Sequence, residues 1–171
     1  MTFKESYDNF LNNVKTVKQY NIPFIIWLIE NPKSPFHLHG AANLHDHDII
    51  HVLLECGQTN WDEAFVIGFT MGNDNRIKKW EVKLFKFISY YFYPEENRFT
   101  KDELKVFDSG FVFGRSRYYP RIADFDWDGI DWNRSLNDIQ ETFGIHANEL
   151  SYYKGDYLNT KYKKEPMYEN F

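Results

Sequence analysis

Apolar positions along this chain recur mostly every three or four residues, the spacing of one face of an α-helix. Tyr7, Phe10, Val14 and Val17 form one stripe and predict a first helix from about Phe3 to Tyr20. Pro23 suits the first turn of a second helix, which should end before Pro32. Lys33 to Ala42, with Pro35 and Gly40, reads as a loop. It leads into a helix from about Ala41 to Cys56, for which Gly57 offers a left-handed stop. Thr59-Asn-Trp-Asp62 has the form of a capping box and opens a helix to about Asn73. Lys78 to Tyr93 is amphipathic and stopped by Pro94, and Thr100-Lys-Asp-Glu103 caps a further helix to Phe113 or beyond. Ser135-Leu-Asn-Asp138 opens a last helix ending at Gly144. From Ser151 onward the periodicity is lost, which predicts a surface tail. The pattern predicts an all-α, single-domain helical bundle over residues 1–150, followed by a Tyr/Lys-rich tail over 151–171.

Composition narrows the class. A chain of 171 residues is large enough for one substantial core. Its 20 basic and 25 acidic side chains leave a formal charge of -5, which speaks against a nucleic-acid partner. A single cysteine, Cys56, excludes an intrachain disulfide framework and fits a reducing compartment. The segment Met1 to Tyr20 carries Glu5 and Asp8 and has neither the apolar stretch of a secretory signal nor the acid-poor character of a mitochondrial transit peptide. The longest apolar run, Ile22 to Ile29, is too short to span a bilayer. Aromatic residues make up 19% of the chain, enough to fill a core or to line a pocket for a long apolar ligand.

The chemistry concentrates in His47-Asp48-Ile49-Ile50-His51, with Glu63 following after eleven residues. Two imidazoles four apart on a helix share a face, about 6 Å apart along the axis, and can share one ion. Burying these polar groups unpaired in an apolar helix would cost several kcal/mol, which a metal, or a hydrogen-bond network imitating one, would offset. With Asp48 and Glu63 the set is two histidines and two carboxylates, suited to zinc or another divalent metal such as iron or magnesium. Glu55, four residues after His51 on the same face, is an alternative to Glu63, and Asp48 could orient a histidine instead of binding the ion. His45 points away from His47 around the helix and is left out of the set.

The pattern His-Asp-x-x-His-x11-Glu resembles the signature of the Coq4 family of ubiquinone biosynthesis. The neighbouring text is similar as well, in His47-Asp-Ile-Ile-His-Val-Leu-Leu-Glu-Cys-Gly57 and Asp62-Glu-Ala-Phe-Val-Ile-Gly-Phe-Thr70. Gly114-Arg115 and Asp126-Trp127 through Ser135 to Ile145 extend the likeness over roughly residues 43 to 146. The resemblance implies a metal held by His47, Asp48, His51 and Glu63, with Glu63 preferred over Glu55. It implies work on a prenylated quinone precursor or related isoprenoid lipid, assisting oxidative removal of the ring carboxylate at C1 or organising other quinone-biosynthesis proteins. The expected location is the cytoplasmic, inner face of a membrane, as a peripheral protein, and a homodimer remains open. No catalytic residue is assigned. Rival readings are an HD-type phosphohydrolase, which needs an upstream ligand such as His37 or His39, an HExxH-like protease, and a lipid-binding scaffold stapled by a structural metal.

Three further motifs bear on these readings. Gly68-x-x-x-Gly72 and Gly110-x-x-x-Gly114 allow close approach of backbones, or a seam for a lipid chain walled by Phe65, Phe69 and Phe111. Lys78, Lys79, Lys83 and Lys86, against Trp80, Leu84, Phe87, Ile88 and Tyr91, form either a solvated face over a core stripe or a contact with an anionic membrane. Arg115, Arg117 and Arg121, among Tyr118 and Tyr119, could hold a carboxylate or phosphate head group.

Overall fold

In the computed structural model the protein is described over residues 1–13, 34, 38–117 and 120–164, without the side chains of 156–164. The elements in chain order are α1 (Phe3–Asn13), α2 (Leu44–Leu53), α3 (Asn60–Asn73), α4 (Lys79–Tyr91), α5 (Lys101–Arg115), α6 (Leu136–Thr142) and α7 (Ala147–Lys164). Short 3-10 turns at Glu95–Asn97, Ile122–Asp124 and Trp127–Gly129 join them. Among the described residues there is no β-strand, only one isolated bridge between Thr2 and Ser135. The chain is an all-α bundle, as the periodicity predicts. The expected continuation of α1 to Tyr20, the helix after Pro23, and Tyr118 and Tyr119 lie outside the described residues.

Helix starts follow their caps. The Thr59 hydroxyl accepts from the Asp62 amide, and the Asp62 carboxylate accepts from the Thr59 amide in return. Thr100 and Glu103 repeat this reciprocal pair at α5. Ser135 caps α6 and Asn43 caps α2, each through an N3 amide. These side chains satisfy amides that a helix start would otherwise leave without partners.

At the centre α3 and α5 cross through their glycines. A Cβ on Gly68 or Gly72 would overlap the carbonyl oxygen of Phe107 or Phe111. In return, a Cβ on Gly110 or Gly114 would overlap that of Phe65 or Phe69. The two small-residue pairs therefore face each other, and each helix lies directly on the other's backbone. This closes the seam proposed for a lipid chain. Phe65 and Phe69 turn instead into the buried core, where their ring centroids lie 6.2 and 5.4 Å from that of Phe113. Much of the aromatic content is core filling of this kind, including Phe85 stacked on Phe107 and Trp127 stacked on Phe143.

Other expectations need correction. The left-handed residue after α2 is Glu55, at φ 50, and not Gly57. The Glu55 carboxylate accepts from Gln140 Nε2 at 2.9 Å, and Lys154 Nζ donates to the Leu54 and Glu55 carbonyls. These contacts hold a conformation that a residue with a Cβ disfavours. Of the region from Ser151 onward, expected as a surface tail, residues 151–164 lie within α7. The head-group role expected of the arginines is weakened by their partners. Arg117 donates to Gly144 O and pairs with Glu149, while Arg121 pairs with Asp124.

Candidate metal centre

The histidine helix α2 and the helix that follows it, α3, are joined by a short connection starting at the left-handed Glu55. This turn brings the first turn of α3 back beside the middle of α2. Glu63, in that first turn, reaches both histidines: its Oε1 lies 3.3 Å from His51 Nε2 and its Oε2 lies 3.6 Å from His47 Nε2. One ligand atom from each of the three residues falls within a sphere where all separations are at most 4.8 Å. The two imidazole centroids are 4.7 Å apart.

His51 is the best defined of the three. It is 1% exposed, and its Nδ1 lies 2.7 Å from the Gly57 carbonyl oxygen. A carbonyl only accepts, so Nδ1 carries the proton and donates. In the neutral ring this fixes the Nε2 lone pair toward His47 and Glu63. Among the described residues that buried Nε2 has no well-formed hydrogen bond, and its polar neighbour is Glu63 Oε1 at 3.3 Å. The separations of 3.3 and 3.6 Å exceed the usual hydrogen-bond range but suit two ligands around one ion. Bonds of about 2.0–2.1 Å in a tetrahedral shell place ligand atoms roughly 3.3–3.4 Å apart. The residues present fit a divalent ion.

The electrostatics agree with a site awaiting positive charge. Burial pushes the Glu63 carboxyl up, but His51 and His47 outweigh it and hold it below the usual range. Burial likewise opposes a charged His51, yet the Glu63 carboxylate and the Gly57 carbonyl raise its pKa overall. His47 is lowered, by burial first and then by His51, against the pull of Glu63.

The other predicted residues fall as follows. Asp48 is half-buried and outside the three-residue cluster. Its pKa is raised by burial, and His51, Glu63 and His45 are near enough to act on its charge. Glu55 is turned toward Gln140 and away from the histidines, so the choice between the two glutamates favours Glu63. His45 is half exposed and pairs with Asp46. His39 lies against the buried Glu81, at 2.8 Å, which removes it as the upstream ligand of an HD-type site; His37 lies outside the described residues. The cavity at the start of α2, about 230 Å³, is polar, with His45 and Asp46 facing Asp126 and Asp128. It is unlike the apolar pocket expected for a prenyl chain.

Two contributors escaped the sequence reading. Phe10 of α1 stacks over His51, with centroids 5.6 Å apart, and walls one side of the site. Its place in the α1 stripe marks it as inward-facing but not as a neighbour of His51. The Gly57 carbonyl carries no side-chain signal at all. No protein-family model, curated protein or solved structure matches this chain, so the case for a function rests on the site itself and on its motif.

Proposed function

We propose that this chain is a Coq4-like metal-binding protein of prenylated quinone biosynthesis, working at the inner face of a membrane on a prenylated ring precursor. The observation that carries the metal-binding part is the convergence of His47, His51 and Glu63, with one ligand atom of each within 4.8 Å of the others. The His-Asp-x-x-His-x11-Glu pattern, which the same residues embody, supports the substrate class.

Two imidazoles, the Glu63 carboxylate and Asp48 as the proposed fourth ligand leave positions for water or substrate on an ion that takes five or six ligands, such as iron or five-coordinate zinc. When bound, the ion supplies Lewis acidity to a ring carboxylate or oxygen, suited to assisting removal of the carboxylate at C1. The chain's own part is orientation: Gly57 fixes the His51 ring, α3 delivers Glu63, and Phe10 shields one flank from water. His47 and Glu63 are each only partly buried, which leaves the site approachable. A closed structural staple between α2 and α3 would have no need of that access.

Elemental analysis of the purified protein, with mass spectrometry of co-purifying lipids, tests both parts. Stoichiometric metal that disappears in the His47→Ala/His51→Ala double variant is expected. Full metal content in that variant would overturn the assignment. Titration with prenylated hydroxybenzoates should show affinity falling when the ring carboxylate is absent. Binding indifferent to the carboxylate would remove the quinone reading while leaving the metal site intact.

A further inference from the structure

Helix α4 splits its apolar residues between two faces. Phe85 and Ile88 are buried with Glu81 and Ser89, and Phe85 stacks on Phe107 of α5. Trp80, Phe87 and Tyr91 are 56, 52 and 60% exposed. Their spacing, with partly buried Leu84 between them, places them on one line along the helix, about a quarter turn or more from the buried face. The sequence offers two readings of Trp80, Leu84, Phe87, Ile88 and Tyr91, a core stripe or a membrane-facing one; the structure buries only Ile88 of the five and leaves Trp80, Phe87 and Tyr91 exposed. Phe87 touches two other exposed rings, its centroid lying 5.1 Å from that of Tyr91 and 5.7 Å from that of Phe92. A contiguous aromatic patch of this kind marks an interaction surface.

Charge identifies the occupant. The protein carries -5 overall, yet from Lys78 to Phe92 there are four lysines and one carboxylate. That carboxylate, Glu81, is buried and accepts from the Lys78 amide and from His39. Lys86 pairs with Asp108 of α5. Lys78, Lys79 and Lys83 are therefore left exposed beside the aromatic line, with no exposed carboxylate within the helix. A two-fold pairing with a second copy through this face would set lysines against lysines. A flat, negatively charged lipid surface meets both features: Trp and Tyr lodge at the headgroup level, and lysines reach anionic headgroups.

We propose that α4 docks this protein onto an anionic membrane surface, with Trp80, Phe87 and Tyr91 entering the headgroup region and Lys79 and Lys83 engaging lipid phosphates. No helix among the described residues is long and apolar enough to cross a bilayer, so the contact is lateral. The face is separate from the histidine cluster and stands whether or not the metal reading does.

Co-sedimentation of the full chain with phosphatidylglycerol/phosphatidylcholine vesicles, and with phosphatidylcholine alone, tests the proposal. Binding is expected to the anionic vesicles, weakening with added salt. The Trp80→Ala/Phe87→Ala/Tyr91→Ala variant and the Lys79→Glu/Lys83→Glu variant should each reduce it by about tenfold or more, as the loss of interfacial rings or of two attractive charges implies. Lys105→Glu, on an exposed lysine of α5, should leave binding within about twofold. Metal content, read in parallel, separates failure here from failure of the metal site, and circular dichroism confirms that each variant is folded. Absence of binding to anionic vesicles, or equal binding by folded variants of both kinds, would overturn the proposal. So would a dimer in light scattering that the aromatic variant dissolves, which would assign the face to a second copy.

Discussion

The His51 ring donates from Nδ1 to the Gly57 carbonyl at 2.7 Å, and this one bond sets what the rest of the cluster can do. It fixes the tautomer, holds the ring plane against Phe10, and aims Nε2 at Glu63. A backbone carbonyl is a rigid partner because it is carried by the turn between α2 and α3, the same turn that returns Glu63 to the histidines. Ring orientation and carboxylate delivery are thus one structural event.

From this arrangement Glu63→Gln should weaken metal binding by about 1.5–3 kcal/mol, the cost of losing a charged partner at a buried group. Glu55→Gln should leave metal affinity unchanged, because its carboxylate faces Gln140. Competition with a chromogenic chelator gives both affinities. The reverse order would transfer the role to Glu55.

Lys154 offers a test of α7 and of the strained turn together. Its ammonium donates to the Leu54 and Glu55 carbonyls, at 3.0 and 2.7 Å, just where α2 ends and Glu55 takes its left-handed conformation. Lys154→Met keeps most of the side-chain bulk and removes the charge at a helix C-terminus. Stability should fall by about 1 kcal/mol in urea titration. No change would mean that α7 is not docked on this turn.

Glu81 supplies a pH dependence. Burial would raise its pKa, but the Lys78 amide and the contacts from His39 hold it below the usual range. A carboxyl depressed in the folded state binds fewer protons there than in the unfolded chain. Its stabilisation is complete above the ordinary glutamate pKa of about 4.3 and is lost as pH falls through the lower folded value. Glu81→Gln should therefore cost about 1–2 kcal/mol at pH 7. The gap between variant and wild type should narrow as pH falls from about 5 toward 3. Denaturant midpoints at a series of pH values read the difference directly, and a gap constant with pH would refute the linkage.

What the sequence conveyed well was local. Thr59, Thr100 and Ser135 each act on amides within the next three residues, so their caps could be read without knowing the fold. The spacing of His47 and His51 likewise needs only a helix. What it conveyed poorly depends on which face meets which neighbour. Trp80, Phe87 and Tyr91 share the period of a core stripe, but α4 is rotated so that Glu81, Phe85 and Ile88 face inward. The start of α7 is held by Tyr153 against Phe113 and by Lys154 against α2, tertiary contacts that a weak apolar period does not announce. Gly57 looked like the stop after α2 because glycine tolerates positive φ most easily, yet Glu55 adopts it with help from residues 85 and 99 positions away.

The glycine crossing makes the sharpest stability prediction. Gly68 and Gly72 of α3 meet Gly110 and Gly114 of α5 reciprocally, and in every case an added Cβ would collide with a carbonyl oxygen of the opposite backbone. Backbone atoms cannot swing aside as a side chain can, so one methyl group must push the two helices apart along the whole contact. Phe65 and Phe69, packed on Phe113, would lose their fit in the same movement. Overpacking of this kind costs about 1–3 kcal/mol in ordinary cores, and Gly68→Ala or Gly110→Ala should reach or exceed the upper end. The gain in helix propensity from Gly to Ala, about 1 kcal/mol, works in the opposite direction and is too small to offset the collision. Gly155→Ala in α7 isolates that gain, because a Cβ there meets no atom of the described residues within 4 Å. Its expected effect is neutral to stabilising by up to about 1 kcal/mol. Urea denaturation of the three variants against wild type decides the matter. A Gly68→Ala protein as stable as Gly155→Ala would mean that α3 and α5 are not in backbone contact, and a lipid seam between them would again be open.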